Sequence, residues 1–363
     1  MTRDKIQKRC CGRQGAYVIL RERKVSGMKH TVRSIAALAG VSRGTVSRVL
    51  NNQPDVSPEV RARVLHIIEE TGYRKDERFA GGDTICIGVI VPHWQDEYFT
   101  NSTMRGIHRA QREINAGKVR LEVRRMHSRS DEEYIQVCED MLELGVRGLV
   151  LNAPDNIMMA AEIERLDQAG VAVVTYNSDL PDTRRICHVG QDLVKSGRIA
   201  AGLMARSISP KDQVLVITGN MEFRSHRVRV DGFLKHLQTL GFHSDCYELA
   251  ECYEQYDLTY ETVRHALESR PRLHGIYMGT ENVRACVDAL ADCRRRITVV
   301  VNDLTPVAKH SLKKGRIDFV VEQDFTSQVY RAILILHELL VYGHHVRRPI
   351  VNVDTSIITR ELL

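Results

Sequence analysis

No apolar run in this sequence reaches the roughly 18 residues that a membrane-spanning helix needs, and the longest candidates, such as Ile85 to Pro92 and Ile297 to Val301, have the length of strands. No apolar segment of signal-peptide length follows the basic N-terminus, because Ala16 to Leu20 runs straight into Arg21, Glu22 and Arg23, so export is not expected. The nine cysteines include no CxxC pair, which removes a zinc ribbon and gives no basis for a disulfide framework; a reducing cytoplasm is the expected setting. GxGxxG is absent, Gly145-x-x-Gly148 being too short to serve, and there is no phosphate-binding loop and no HExxH. His344-His345 falls in a polar turn suited to solvated side chains, and no nucleophile stands beside a base. Neither an enzyme nor a cofactor is expected.

What is present is the composition of a folded protein, with 43% hydrophobic and 27% charged residues in 363 positions, enough for two or three domains. Charge is unevenly placed. Residues 1–80 hold 17 Lys and Arg against 8 Asp and Glu, leaving 35 against 38 for the remainder, as a nucleic-acid-binding end on a near-neutral body would have. Part of that excess is a basic tail, since residues 1–27 alone contribute 8 against 2. This stretch has neither sustained periodicity nor caps and reads as an upstream extension, with Met28 as an alternative start.

Helical punctuation begins at Thr31, an N-cap ahead of Ile35 and Leu38 on one face, and Gly40 stops that helix. Gly40-Val41-Ser42 is a tight turn in which Ser42 caps a second helix, Arg43 to Leu50. A third follows Ser57-Pro58-Glu59, with Val60, Val64, Ile67 and Ile68 at the spacing of one buried stripe. In a helix-turn-helix the first helix braces the second, whose early side chains meet base edges in the major groove. Arg43, Thr45, Ser47 and Arg48 point outward in that reading, while Val46, Val49 and Leu50 pack inward. Arg48 suits a two-pronged contact to guanine; Ser42, Thr45, Ser47 and Asn51 suit phosphates. The same spacing also fits a plain three-helix bundle.

Beyond the polar stretch 75–84, which contains Gly81-Gly82 and reads as a linker, strands alternate with amphipathic helices in two successive series. Strands are expected near Ile85–Val91, Leu121–Arg125, Gly148–Asn152, Val171–Tyr176 and Ile186–Val189, then near Val214–Thr218, Ser244–Leu249, Gly275–Met278, Thr298–Asn302 and Phe319–Glu322. Helices expected between the first of these are Thr100–Asn115, Glu132–Leu144 and Ile157–Ala169. The fold class is therefore α/β, two lobes of parallel sheet covered on both faces, with ligands beyond the carboxyl ends of the strands. Such ends supply aromatic and planar polar groups suited to a polyol at Trp94 to Phe99 and at Asn177-Ser178-Asp179.

Thr31 to Arg74 resembles the DNA-binding domain of the lactose-repressor (LacI) family, through Ala36-x-x-x-Gly40-Val41-Ser42, Thr45-Val46-Ser47-Arg48, Asn51, Val56-Ser57 and Gly72-Tyr73. The resemblance implies base reading at the positions of Arg43, Gly44 and Arg48, and Gly44 has no side chain for it. Residues 85–363 resemble the family's effector domain, similar to periplasmic sugar-binding proteins of the ribose type, with Ile357-Ile358-Thr359-Arg360-Glu361 matching its last strand and tail. The implied organisation is 28–74 DNA-binding, 75–84 hinge, a first lobe of about 85–190 and 324–346, and a second of about 191–322 and 350–363. The hinge departs from the family's Asn-x-x-Ala-x-x-Leu: Phe79-Ala80-Gly81 stands where Leu-Ala-Gly would, so Phe79 is either a minor-groove wedge or plain linker.

By the same resemblance Asp96, Tyr98, Phe99, Asn177 and Ser178 are first-lobe ligand contacts, and Arg229, Thr280, Asp303, Gln323 and, as an aromatic wall, Tyr256 are second-lobe ones. Phe99 would serve equally as core, Asp303 as a loop cap and Arg229 as a partner of Asp231. The partners implied are double-stranded operator DNA, a small effector (a monosaccharide, sugar acid or polyol) and a second copy of the chain, with no membrane. No leucine heptads follow to build a tetramer. A purine corepressor and an effector-independent architectural protein with a vestigial cleft are the alternatives, and a transport receptor is disfavoured by the helix-turn-helix.

Overall fold

The structure is a computed structural model that describes residues 32–50, 56–71, 84–114 and 118–363. Thr31, Asn51, Phe79 and the side chains of Arg43, Ser47 and Leu50 lie outside what is described, as do Cys10, Cys11 and nearly all of the 75–84 stretch. The chain divides into two compact units, residues 1–81 and 82–363, a division that falls within the stretch read as linker.

In the first unit α1 (Val32–Ala39), α2 (Arg43–Leu50) and α3 (Pro58–Thr71) enclose a core of Ile35, Ala36, Ala39, Val46, Val49, Val56 and Val64, with Val60, Ile67 and Ile68 packed against it. Helix α1 ends because Gly40 turns left-handed, at φ 62°, which lets Val41 N–H reach Ala36 O at 3.0 Å. Ser42 then accepts from Thr45 N–H at 3.1 Å and starts α2. Ser57 accepts from Val60 N–H at 3.4 Å ahead of Pro58. Leu38, expected beside Ile35, is instead 58% exposed. The 100° step per residue carries Ala36 and Ala39 inward in its place, and these small residues let α1 approach the other helices closely.

The second unit has two six-stranded sheets. The first, in the order β11-β5-β4-β3-β1-β2, comprises β1 (Ile85–Val91), β2 (Val119–Arg125), β3 (Gly148–Leu151), β4 (Ala172–Tyr176), β5 (Cys187–Gln191) and β11 (Ile350–Val353), all parallel. Helices α4 (Glu97–Glu113) and α12 (Phe325–Tyr342) cover one face, and α5 (Asp131–Glu143) and α6 (Ile157–Gln168) the other. The second sheet, β12-β10-β9-β8-β6-β7, comprises β6 (Gln213–Thr218), β7 (Tyr247–Glu251), β8 (Leu273–Met278), β9 (Thr298–Asn302), β10 (Phe319–Gln323) and β12 (Thr355–Ile358), parallel except for β12. Its faces carry α7 (Leu193–Ser207) and α8 (Arg224–Thr239), and α9 (Tyr256–Ser269), α10 (Val283–Ala289) and α11 (Pro306–Lys313).

The fold is thus the two-lobed α/β arrangement expected, with two local corrections. Ser244–Cys246 is a single 3-10 turn, and β7 starts only at Tyr247. Ile350–Val353, expected in the second lobe, pairs in parallel with β5 of the first, because Arg185 and His188 hold Pro349 O at 3.2 and 2.9 Å and lay the segment along the open edge. The chain therefore changes lobe three times, after Gln191, Gln323 and Val353, each time at an aspartate; Asp192 and Asp324 cap the helices that follow.

Close packing of α7 on α8 fixes the second lobe's contribution to the cleft. A Cβ at Gly197 would lie 2.2 Å from Arg229 O and 2.6 Å from Phe233 N, so only glycine lets the two backbones approach this far. Along α8, Ser225, Arg229, Phe233 and Leu237 recur every four residues on the buried face, and Phe233 stacks on Tyr277 with centroids 4.3 Å apart. Gly197→Ala is expected to destabilise the second unit by about 2 kcal/mol through overpacking, measured by denaturant unfolding.

Candidate functional site

Two sites emerge. On the helical unit, Val46 and Val49 bury the inner face of α2, while Ser42, Gly44 and Arg48 are exposed and Thr45 is half-buried. Ser42 and Thr45 hydroxyls stand 2.9 Å apart, so the cap is tied to the residue one turn on. A Cβ on Gly44 would sit 3.9 Å from Arg48 Nη2: the guanidinium passes over the bare face that the glycine leaves.

The second site lies between the lobes at the carboxyl ends of the strands, where ligands of open α/β sheets bind. A cavity of about 30 Å³ is lined from the first lobe by Trp94, Phe99, Asn177 and Phe325, and from the second by Ser225, His226, Arg229, Gly279, Thr280, Glu281 and Asp303, with Gln323 at the crossing. That volume holds a water or two and is an order of magnitude below an ordinary ligand pocket of about 300 Å³ or more. A vestibule of about 390 Å³ adjoins it, shares Glu281, and is lined by Asp96, Glu254, Tyr256 and Arg284 among others.

Of the ten residues singled out in the sequence, Phe99, Asn177, Arg229, Thr280, Asp303 and Gln323 come together around the cavity, and Asp96 and Tyr256 face the vestibule. The Asp96 carboxylate is occupied in capping α4, accepting from Tyr98 N–H at 2.9 Å, and Tyr256 donates to Asp288 at 3.0 Å. Tyr98 and Ser178 line neither space: Tyr98 donates across the lobes to Glu322 at 3.0 Å, and Ser178 is fully buried with its hydroxyl unpartnered. Asp231 is not the partner of Arg229, since it pairs with Lys235 at the surface.

Arg229 is 3% exposed and donates from Nη1 to Gly279 O at 3.2 Å, while its Nε and Nη2 have no partner. Asp303 Oδ1 and Trp94 Nε1 are also buried without partners. Burial pushes the Asp303 carboxyl above its ordinary value against the opposing pull of Arg229. Desolvation, helped by the two arginines 229 and 129, holds His226 down at about 3, so its imidazole is neutral; Nδ1 lies 3.0 Å from Asn220 O. Asn177 and Asp303, at φ 59° and 68°, are left-handed, as are Tyr253 and Glu254 at 50° and 55°. These are all the positive-φ non-glycine residues described: Asn177 and Asp303 directly follow β4 and β9, and Tyr253 and Glu254 stand two and three residues past β7. Strain of this kind persists only where the surroundings impose it and gathers at binding sites. Asn152, Asn177, Gln323 and Gln328 form a buried carboxamide chain at 3.2, 3.4 and 2.8 Å, which orients Asn177 and Gln323 toward the cavity.

Sequence reasoning placed Trp94 in the strand-end group without assigning it a contact, and passed over Ser225, His226, Glu281 and Phe325. Signals existed for most: Ser225 and His226 precede Arg229 by one helical turn, and Glu281 and Phe325 adjoin Thr280 and Gln323. Arg129, which pairs with Glu281 at 3.0 Å from the loop before α5, had no such signal. Among the described residues no cluster of His, Cys, Asp or Glu is arranged to hold a metal ion, and no helix is long and apolar enough to cross a membrane.

Residues 87–344 match a family described as periplasmic binding protein domain, and residues 31–76 match bacterial regulatory proteins of the lacI family. Catabolite control protein A of Priestia megaterium is 24% identical over 320 residues, covering 83% of this chain and 88% of that protein. The HTH-type transcriptional regulator IdnR of Escherichia coli K12 is 24% identical over 296 residues, covering 79% and 83%. GanP, a glucose-galactose binding protein from Geobacillus stearothermophilus, superposes with a TM-score of 0.68 at 19% identity over 77% of this chain and 98% of its own, a likeness of fold.

Burial raises the Glu281 carboxyl from 4.5 to about 7, and it raises Glu322 as well, reinforced by Asp303. A carboxyl whose value is raised in the folded state is easiest to bury as the neutral acid. Its contribution is therefore most favourable below about pH 4.5 and is lost as pH rises toward 7. The melting temperature of the full chain is expected to fall less steeply between about pH 5 and pH 8 in Glu281→Gln than in the parent, measured by calorimetry across that range.

Proposed function

The chain belongs to the lacI family of bacterial regulatory proteins, with a periplasmic binding protein domain behind the helix-turn-helix, and from that premise we propose a ligand-controlled repressor that binds operator DNA as a homodimer. The effector in this reading is a small sugar or polyol held between the lobes. The single observation that carries it is the set of unsatisfied polar atoms around the cavity: Arg229 Nε and Nη2 as a two-pronged donor, Asp303 Oδ1 as an acceptor and Trp94 Nε1 as a further donor. Adjacent hydroxyls both accept and donate, so a polyol satisfies this set where an apolar ligand leaves it unpaired at a cost of about 1–3 kcal/mol per group. Trp94, Phe99 and Phe325, with ring centroids 5.2 to 5.5 Å apart, form an aromatic floor for a sugar's apolar face. The glucose-galactose binding activity named for GanP belongs to the same fold and supports the class, not the identity, of the ligand.

Closing the lobes on such a ligand would alter operator affinity only through a difference in affinity between the two states. On the DNA side Arg48 discriminates bases, and Ser42 and Thr45 fix register on phosphates. Asn51 and Phe79 keep the roles that the sequence suggests for them, phosphate contact and wedge or linker.

A thermal-shift screen of pentoses, hexoses, sugar acids, inositols and purines tests the effector class, because binding to the folded state alone raises apparent stability by about 2.7 kcal/mol at a hundredfold excess over Kd. A hit among polyols that Arg229→Ala abolishes, with operator affinity intact, is expected; silence of the whole panel refutes the sugar class. Arg48→Ala should cost about 1–3 kcal/mol of discrimination at one base pair with the fold unchanged, and an unaltered sequence preference in a binding selection rules out its role.

A further inference from the structure

Arg129 lines neither the cavity nor the vestibule, yet it is the side chain on which several contacts across the cleft converge. From the loop between β2 and α5 of the first lobe, its Nε donates to His93 O at 2.7 Å. Its Nη2 donates to Glu281 at 3.0 Å, and its Nη1 stands 3.8 Å from Glu254, both acids of the second lobe. Its guanidinium lies 4.7 Å over Trp94 of the first lobe and 5.3 Å from the ring of Phe223 of the second. Asp96 N–H adds a 2.9 Å bond to the other oxygen of Glu281. The other charged contacts across the cleft, Arg227 and Arg224 with Asp155 at 2.6 and 3.9 Å, involve arginine side chains 36% exposed and an aspartate 26% exposed and so are more fully screened, whereas the side chains of Glu281 and Glu254 are each 6% exposed.

We propose that Arg129 is the latch of the cleft, a positioning residue that holds the lobes together by neutralising two buried acids of the opposite lobe and thereby sets Glu281 in the cavity wall. Around this latch stand Asp96 and Glu97 from the start of α4, Arg284 from α10, His226 and Arg229 from α8, and Asp303 and Glu322 deeper in the cleft. His226 stays neutral, and Arg229, although it lines the same cavity as Glu281, donates to Gly279 O instead, so Arg129 is the cation directly bonded to Glu281. Without it an ionised Glu281 and Glu254 would face each other unpaired in a buried cleft, and the lobes would part to hydrate them. Control of effector affinity by this latch rests on the cleft being the effector site; the latch itself does not.

The only tryptophan of the chain, Trp94, sits under Arg129 and reports the state of the cleft without any ligand. Acrylamide quenching of its fluorescence in the full chain is expected to rise about threefold in Arg129→Gln near pH 7.5 and to return toward the parent value near pH 5.5, below the raised value of Glu281. Arg129→Gln/Glu281→Gln, in which Glu254 alone is left without Arg129, should also return toward the parent value near pH 7.5, although it too lacks the guanidinium over the ring. Arg129→Lys, which keeps the charge and loses the fork, should show a smaller rise that is likewise reversed at low pH. An unchanged quenching constant in Arg129→Gln and Arg129→Lys overturns the latch, as does a rise that neither low pH nor Glu281→Gln reverses. Because no effector is used, the latch can stand where the sugar panel is silent, and fall where it is not.

Discussion

A guanidinium almost wholly withdrawn from water, with one carbonyl for a partner, is the constraint around which the cleft is organised. Burying Arg229 is costly unless its charge is balanced and its donors are used. Arg229 draws the buried Asp303 carboxyl back toward its ionised form, and Gly279 uses one nitrogen of the guanidinium. Nε and Nη2 remain for something else. The position is enforced from behind, since the α7–α8 contact at Gly197 leaves the α8 backbone at Arg229 no room to withdraw. The fold thus holds an unsatisfied donor pair in place, and a ligand that satisfies it recovers a cost the protein has already met.

The chain's three crossings between lobes explain how opposing groups can be so exactly placed yet separable. Gln191, Gln323 and the aspartates after them sit at the crossings: Gln191 donates to Glu322 O of β10, while Gln323, Asp192 and Asp324 accept from the helices that follow. Left-handed Asn177 and Asp303 redirect the chain where β4 and β9 end, so both side chains converge on the cavity from different lobes. Either residue could relax to a less strained conformation alone; the strand before it and the buried partners around it prevent that.

Much of this was legible in the sequence because it depends on local rules. Short apolar runs alternating with amphipathic stretches placed every strand of the two series to within a few residues, except that Ser244–Cys246 became a turn and β11 was not foreseen. The missed strand Ile350–Val353 is short and mostly exposed, and its place is decided by the open edge of β5, a non-local fact. Leu38 misled because one apolar pair three residues apart does not say on which side of the helix axis the core lies; Ala36 and Ala39 decided it. In the site, residues at strand ends were found because the architecture says where to look. Arg129 escaped because an ion pair between residues 152 positions apart leaves no pattern in the chain.

The same distribution of groups bears on how a ligand could act. Trp94, Phe99 and Asn177 belong to one lobe, and Arg229, Thr280 and Asp303 to the other, so no single lobe presents a complete set of partners. A polyol bound to an open cleft would reach half of them, and the rest become available only as the lobes converge. Its affinity is therefore weighted toward the closed arrangement by the contacts of the second lobe, which is the differential affinity that any shift of a conformational equilibrium requires. The latch contacts of Arg129 also draw the lobes together, independently of the ligand and around a cavity of only about 30 Å³, so the size of the ligand's shift is set by how far those contacts have already moved the balance.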